Sequence, residues 1–109
     1  MANYLLTYMG GGMAETPEAQ AKQMEAWGAW FGSLGAAVVD GGNPCGASRT
    51  VASRTVASDR SVRDGGAAGV GGYLVIKAES LDEATRMAKG CPILAGGGSV
   101  EVYETFNAM

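Results

Sequence analysis

From Asn3 to Met9 the chain carries large side chains on both faces of a strand: Tyr4, Leu6 and Tyr8 alternate with Leu5 and Met9. Side chains alternate sides residue by residue along a strand, so neither face of this one suits water. Val100 to Phe106 repeats the pattern near the C-terminus, with Val100, Val102 and Phe106 on one face and Tyr103 on the other. Such strands need cover front and back. The 109 residues fit one domain, taken as 1–109, and a chain this small supplies a single helical layer. The second layer is expected from another copy of the protein. Burying roughly 500–800 Å² per subunit would contribute on the order of 10 kcal/mol before association costs.

The rest of the chain supplies the helical layer. Thr16-Pro-Glu18 reads as a helix start: a hydroxyl cap, a proline suited to the first helical position, and a carboxylate at the positive end of the dipole. Met24, Trp27, Phe31 and Leu34 recur at steps of three, four and three, which predicts an inward stripe with Trp30 beside it. Gly35 is placed to end the helix, and Ala36 to Val39 reads as a short second strand. Gly72 to Ala78 reads as a third strand, with Tyr73, Val75 and Lys77 opposite Leu74, Ile76 and Ala78. Ser80-Leu-Asp-Glu83 is a capping box, in which Glu83 returns to the Ser80 amide. The helix it opens should bury Leu81, Ala84, Met87 and Ala88 and stop at Gly90, before Pro92.

Between Gly42 and Gly69 the periodicity dissolves, an unusual length of irregular chain for a compact domain. Here Ser48-Arg-Thr-Val-Ala is followed at once by Ser53-Arg-Thr-Val-Ala. The duplication predicts a lengthened hairpin arm or loop, partly strand-like over Thr50 to Ala57 and mobile over Asp59 to Asp64. The order strand, helix, strand, strand, helix, strand, with right-handed split crossovers, predicts an α+β ferredoxin-like βαββαβ sandwich. Its sheet is antiparallel, its arm covers about 42–69, and its helix-free face is the expected dimer contact.

Composition limits the chemistry. Charged residues are 17% of the chain, low for a well-solvated monomer, and the net charge of −3 argues against a nucleic-acid partner despite the close-spaced Arg49, Arg54, Arg60 and Arg63. No segment approaches the roughly 20 apolar residues of a membrane span, and the start lacks a secretory pattern. With only Cys45 and Cys91, the expected setting is cytoplasmic with reduced thiols. There is no histidine, so the commonest general base and metal ligand is missing; no metal and no cofactor are expected. Gly10-Gly-Gly12 lacks the lysine of a phosphate loop and reads as a turn. Gly69-Val-Gly-Gly72 precedes a strand, the wrong order for a dinucleotide site.

Several short segments together carry a resemblance. They are Trp27-Gly-Ala-Trp-Phe31, Asp40-Gly-Gly-Asn-Pro44, Ser48-Arg-Thr-Val51, Val62-Arg-Asp-Gly-Gly66, Gly72-Tyr73, Gly90-Cys-Pro92 and Gly97-Gly-Ser-Val-Glu-Val102. In their order and spacing the chain resembles the YCII-related (DGPF-domain) proteins of the dimeric α+β barrel superfamily. The resemblance implies a ferredoxin-like fold and homodimerisation. It departs at the repeated Ser-Arg-Thr-Val-Ala segment, at Asp64-Gly-Gly-Ala67 where the family has Asp-Gly-Pro-Phe, and in lacking the histidine of a histidine–aspartate pair found in some relatives.

The residues that point to function lie around the second strand. Asp40 ends that strand beside two glycines that admit close backbone approach, and Arg49 offers a planar fork for a carboxylate or phosphate. With Ser48, and with Trp30 and Tyr73 as walls, they outline a cleft between the first helix, the sheet edge and the long loop. The cleft is expected to hold a small anionic or aromatic molecule. Two other readings remain open: an enzyme using Asp40 or a tyrosine as acid–base group, and a non-catalytic interaction protein acting through the arginine-bearing arm.

Overall fold

The computed structural model describes residues 1–10, 15–46, 49–52, 61–64 and 69–107; for 49–52 and 61–64 the strand pairing alone is described. Along these residues run β1 (Ala2–Met9), α1 (Pro17–Leu34), β2 (Val38–Asp40), β3 (Arg49–Ala52), β4 (Ser61–Asp64), β5 (Val70–Ala78), α2 (Leu81–Ala88) and β6 (Ser99–Glu104). Four strands form an antiparallel sheet in the order β2-β5-β1-β6. The strands of each strand–helix–strand unit are thus parted by a strand of the other unit. That is the ferredoxin-like topology, with both helices packed on one face. Among the described residues no helix is long and apolar enough to cross a membrane.

Register explains the core. Tyr4 pairs with Ile76 and Leu6 with Leu74, and all four are buried beneath the helices with Ala78, Ala84 and Ala88. The alternate positions form the helix-free face, where Leu5 lies between Val75 on β5 and Tyr103 on β6. Of the two candidate sets on β1, the helices therefore take Tyr4, Leu6 and Tyr8. Leu5 and Met9 are left on the open side, interleaved with Asn3 and Thr7.

Both predicted helix caps form. The Thr16 hydroxyl accepts from Ala19 N–H at 3.1 Å and the Ser80 hydroxyl from Glu83 N–H at 3.1 Å. The returning Glu83 carboxylate accepts instead from Glu79 N–H, at 3.4 Å, one residue further back than the capping-box pattern puts it. Lys89, not Gly90, occupies the cap position after α2.

Four further expectations need correction. Gly35–Ala37 is a 3-10 turn, so β2 starts only at Val38; the α1 cap tightens into that turn before the chain extends. Met24 is 76% exposed although it belongs to the apolar stripe, because the gap of a cleft separates that end of the stripe from the sheet. Leu81 is exposed because the buried side of α2 is the narrow Ala84–Ala88 line. Phe106 lies beyond the end of β6 at Glu104 and is exposed; the bonds to β1 at that end run from the Thr105 N–H and hydroxyl to Asn3 O. Apart from the main sheet, Ser61–Asp64 pairs antiparallel with Arg49–Ala52 as a two-stranded sheet. That register sets Arg49 opposite Asp64 and Val51 opposite Val62. The second copy of the repeat, Gly11 and Gly12, and the Gly65–Ala67 segment lie outside the described residues.

Candidate ligand-binding site

The loop after β2 does not leave the sheet. The Asp40 carboxylate accepts from Gly42 N–H at 2.8 Å and turns the chain back on itself. Asn43 O then accepts from Tyr73 N–H at 3.3 Å, Pro44 bridges Gly72, and Cys45 N–H donates to Gly71 O at 2.9 Å. The segment continues the edge of β5 past a bulge. Gly42 makes this possible. Its φ is +69°, and a Cβ there would lie 1.7 Å from the Tyr73 carbonyl oxygen.

Opposite this backbone ledge stands α1. Trp27 and Phe31, one turn apart, overhang it with Met24 beyond them. Tyr8 rises from β1 between the two, and Ile93 closes one end. The cleft, open on one side, measures about 570 Å³, within the usual range for small-molecule sites. The aromatic rings brace one another. The Tyr8 and Trp27 centroids are 5.0 Å apart at 74°, and those of Trp27 and Trp30 are 5.8 Å apart at 73°. Such edge-to-face pairs contribute about 0.5–1.5 kcal/mol each beyond burial. No described residue lining this cleft carries a charged side chain.

Trp30 has a different station. It is 5% exposed and sits in the core, donating from Nε1 to Met87 O at 3.0 Å and lying flush against Gly90. The side of Trp30 that reaches the surface borders a second, shallower groove between α1 and the turn after α2. Of the five residues singled out from the sequence, Tyr73 borders the aromatic cleft from β5 but pairs with Thr7 on the helix-free side of the sheet, where its main chain holds the ledge; Asp40 is exposed and turns the loop that forms that ledge. Arg49 opens β3; its side chain and Ser48 lie outside what the structure describes. The sequence reading preferred Trp30 to Trp27 as a pocket wall and missed Tyr8, Phe31 and the Asn43–Pro44 ledge. The four-residue spacing of Trp27 and Phe31 was the available signal, but core packing explains it equally well.

Tyr8 carries the polar chemistry of the cleft. Its hydroxyl is buried and, among the described residues, has no hydrogen-bond partner. Burial raises the phenol well above its ordinary range, and the neighbouring Cys91 adds to the shift. Burial likewise pushes the Cys91 thiol up, against a weaker opposing pull from the Ile93 backbone. A neutral Tyr8 serves as a hydrogen-bond donor, not as a base. Among the described residues no cluster of acidic or thiol side chains could hold a metal.

Those two shifts set a pH dependence. The unfolded chain loses the thiol proton near 9 and the phenol proton near 10, while the folded chain still holds both. Above those values the unfolded state binds fewer protons, so stability falls as pH rises. The urea midpoint should be level up to about pH 8.5 and decline from about pH 9; Cys91→Ala should move the onset to about pH 10. A midpoint that rises across that interval would contradict the burial of both groups.

The comparisons with known proteins follow the fold. The structure is similar to that of 5-chloro-2-hydroxyhydroquinone dehydrochlorinase (TftG) from Burkholderia phenoliruptrix AC1100, solved in complex with 2,5-dihydroxybenzoquinone. The match has a TM-score of 0.54 and 19% sequence identity, and covers 97% of this chain and 95% of that one. At that identity the likeness is one of fold. No curated protein matches the sequence. The profile of the YCII-related domain matches residues 13–107, nearly the whole chain. The protein belongs to the YCII-related domain family.

Proposed function

We propose that this chain is a homodimeric binding protein that takes a small aromatic or quinonoid molecule into the cleft between α1, β5 and the loop after β2. The observation that carries this reading is the cleft itself: aromatic walls, a backbone ledge, and the buried, unpartnered Tyr8 hydroxyl. A flat ring slides between Trp27 or Phe31 and the ledge, and an oxygen on it accepts from Tyr8. The structural neighbour, solved with a flat oxygenated ring, supports the ligand class. In this reading Asp40 acts by holding the loop that forms the ledge, and Tyr73 by holding that ledge through its main chain. The two free thiols fit a reducing, cytoplasmic setting.

Tyr8→Phe tests it. Removing a buried, unpaired hydroxyl relieves a desolvation penalty, so the unliganded variant should be as stable as the parent or up to about 1 kcal/mol more stable. Its affinity for hydroquinone, followed by calorimetric titration, should fall about 3–10-fold with the lost hydrogen bond. Gain in stability with loss in affinity marks a binding residue. Hydroquinone that fails to bind the parent protein at millimolar concentration would end the proposal.

The dimer rests on the open sheet face. Leu5, Val75 and Tyr103 form an apolar centre at matched register, and Asn3, Lys77 and Glu101 lie around it. That is the anatomy of an interface, an apolar core within a polar rim. In sedimentation velocity the parent chain should run as a dimer and Leu5→Lys as a monomer with helix content unchanged. A monomeric parent would remove the dimer from the reading.

A further inference from the structure

Two features of the cleft distinguish the oxidised from the reduced form of the same flat ring. The first is the Tyr8 hydroxyl, buried and without a hydrogen-bond partner among the described residues. A quinone oxygen is a carbonyl: it accepts from Tyr8 and brings no hydrogen of its own. A hydroquinone oxygen carries one, so two O–H groups meet at a single contact. Only one of the two hydrogens is shared across that contact, and the other stays unmatched there. The second feature is the aromatic wall of Trp27 and Phe31. The faces of such rings are negative. Two carbonyls draw electrons out of a quinone ring and make its face a complement to theirs, whereas two hydroxyls leave a hydroquinone electron-rich. Tyr8 and Trp27 line one cleft and stand edge to face with centroids 5.0 Å apart, so a single bound ring meets both.

We infer that the cleft selects by oxidation state: it binds the quinone form of its ring ligand more tightly than the hydroquinone form, through the Tyr8 hydroxyl and the Trp27–Phe31 wall together. This rests on the reading of the cleft as a ring-binding site and adds which redox partner it holds. Linkage gives the consequence. A protein that binds the oxidised member of a couple more tightly lowers the reduction potential of the bound couple, by about 30 mV for each tenfold of preference in a two-electron exchange. The bound ring is then harder to reduce than the free one, and the protein acts as a holder of the oxidised form.

Duroquinone and its reduced form, durohydroquinone, make the test. Their four methyl groups leave a thiol no open ring position to attack, and the cleft of about 570 Å³ has room for them. In equilibrium dialysis of the parent protein under argon, with dithionite holding the reduced form, duroquinone should bind about tenfold more tightly than durohydroquinone. The midpoint potential of the couple should then fall by about 30 mV at saturating protein. In Tyr8→Phe the gap should narrow to about threefold, the share carried by the aromatic wall. Equal affinities, tighter binding of durohydroquinone, an unmoved or raised potential, or a gap untouched by Tyr8→Phe overturns the selectivity. Failure of both forms to bind a protein that does bind hydroquinone overturns it too, and the ring site stands without it. Failure of hydroquinone as well removes the ring site and this inference together.

Discussion

Gly42→Ala will destabilise the protein by on the order of 3 kcal/mol and will open the cleft. Two costs act together. The residue has φ +69°, where a Cβ is strained, and that Cβ would lie 1.7 Å from Tyr73 O. The obstructing atom belongs to the backbone of β5, held in the sheet between β2 and β1, so it cannot swing away. The loop must lift instead. It then loses the Asn43–Tyr73 and Cys45–Gly71 hydrogen bonds together, and the ledge moves off the aromatic wall. For a domain of this size the melting temperature should fall by roughly 10–20 °C. Gly46→Ala, in open space with an ordinary φ, is the control and should change little. A Gly42→Ala protein that melts within 2 °C or so of the parent would mean that the ledge is not packed as described.

Trp30→Ala should cost about 3–5 kcal/mol, the usual range for removing a large buried aromatic. Trp30→Phe should cost less, about 1–2 kcal/mol, because Met87 O keeps the Gly90 N–H as a second donor. The more discriminating measurement is the pairing with Gly90. A Cβ there would lie 2.9 Å from Trp30 Cδ1 and 3.0 Å from its Nε1, so Gly90→Ala must push the indole out of place. In the Trp30→Ala background that obstruction is gone, and the second substitution should be nearly free. Urea denaturation of the four proteins reads the coupling directly. Additive costs would show that α1 and the end of α2 do not meet through this contact.

The frame of the fold was legible because it is written in alternation and caps. Tyr4, Leu6 and Tyr8 on one side and Leu5 and Met9 on the other define β1; Leu74, Ile76 and Ala78 define the buried side of β5; Thr16 and Ser80 mark the helix starts. Sequence periodicity does not show how far a helix is rotated over its sheet. Met24, on the stripe, therefore hangs over the cleft, while Trp30, set beside the stripe, goes to the core. The ledge was less legible still. Its signal is a bulge made by Asp40 and Gly42, after which main-chain hydrogen bonds hold Asn43 to Cys45, and such bonds leave no hydrophobic pattern. Asp40 was noticed for its chemistry, while the geometry makes it the anchor of that turn. Tyr8 was hidden differently: as one more aromatic in a strand it reads as core, and only its lack of a partner distinguishes it.

The cleft has unlike jaws. One is largely peptide, contributed by Gly41, Gly42, Asn43, Pro44, Gly71 and Gly72; the other is the side-chain face of α1. Amino-acid replacement cannot redecorate a surface made of main chain without displacing it. A substitution that reshapes the cleft without displacing main chain must therefore fall on the helical jaw, at Met24, Trp27 or Phe31, with the opposite jaw as its fixed anvil.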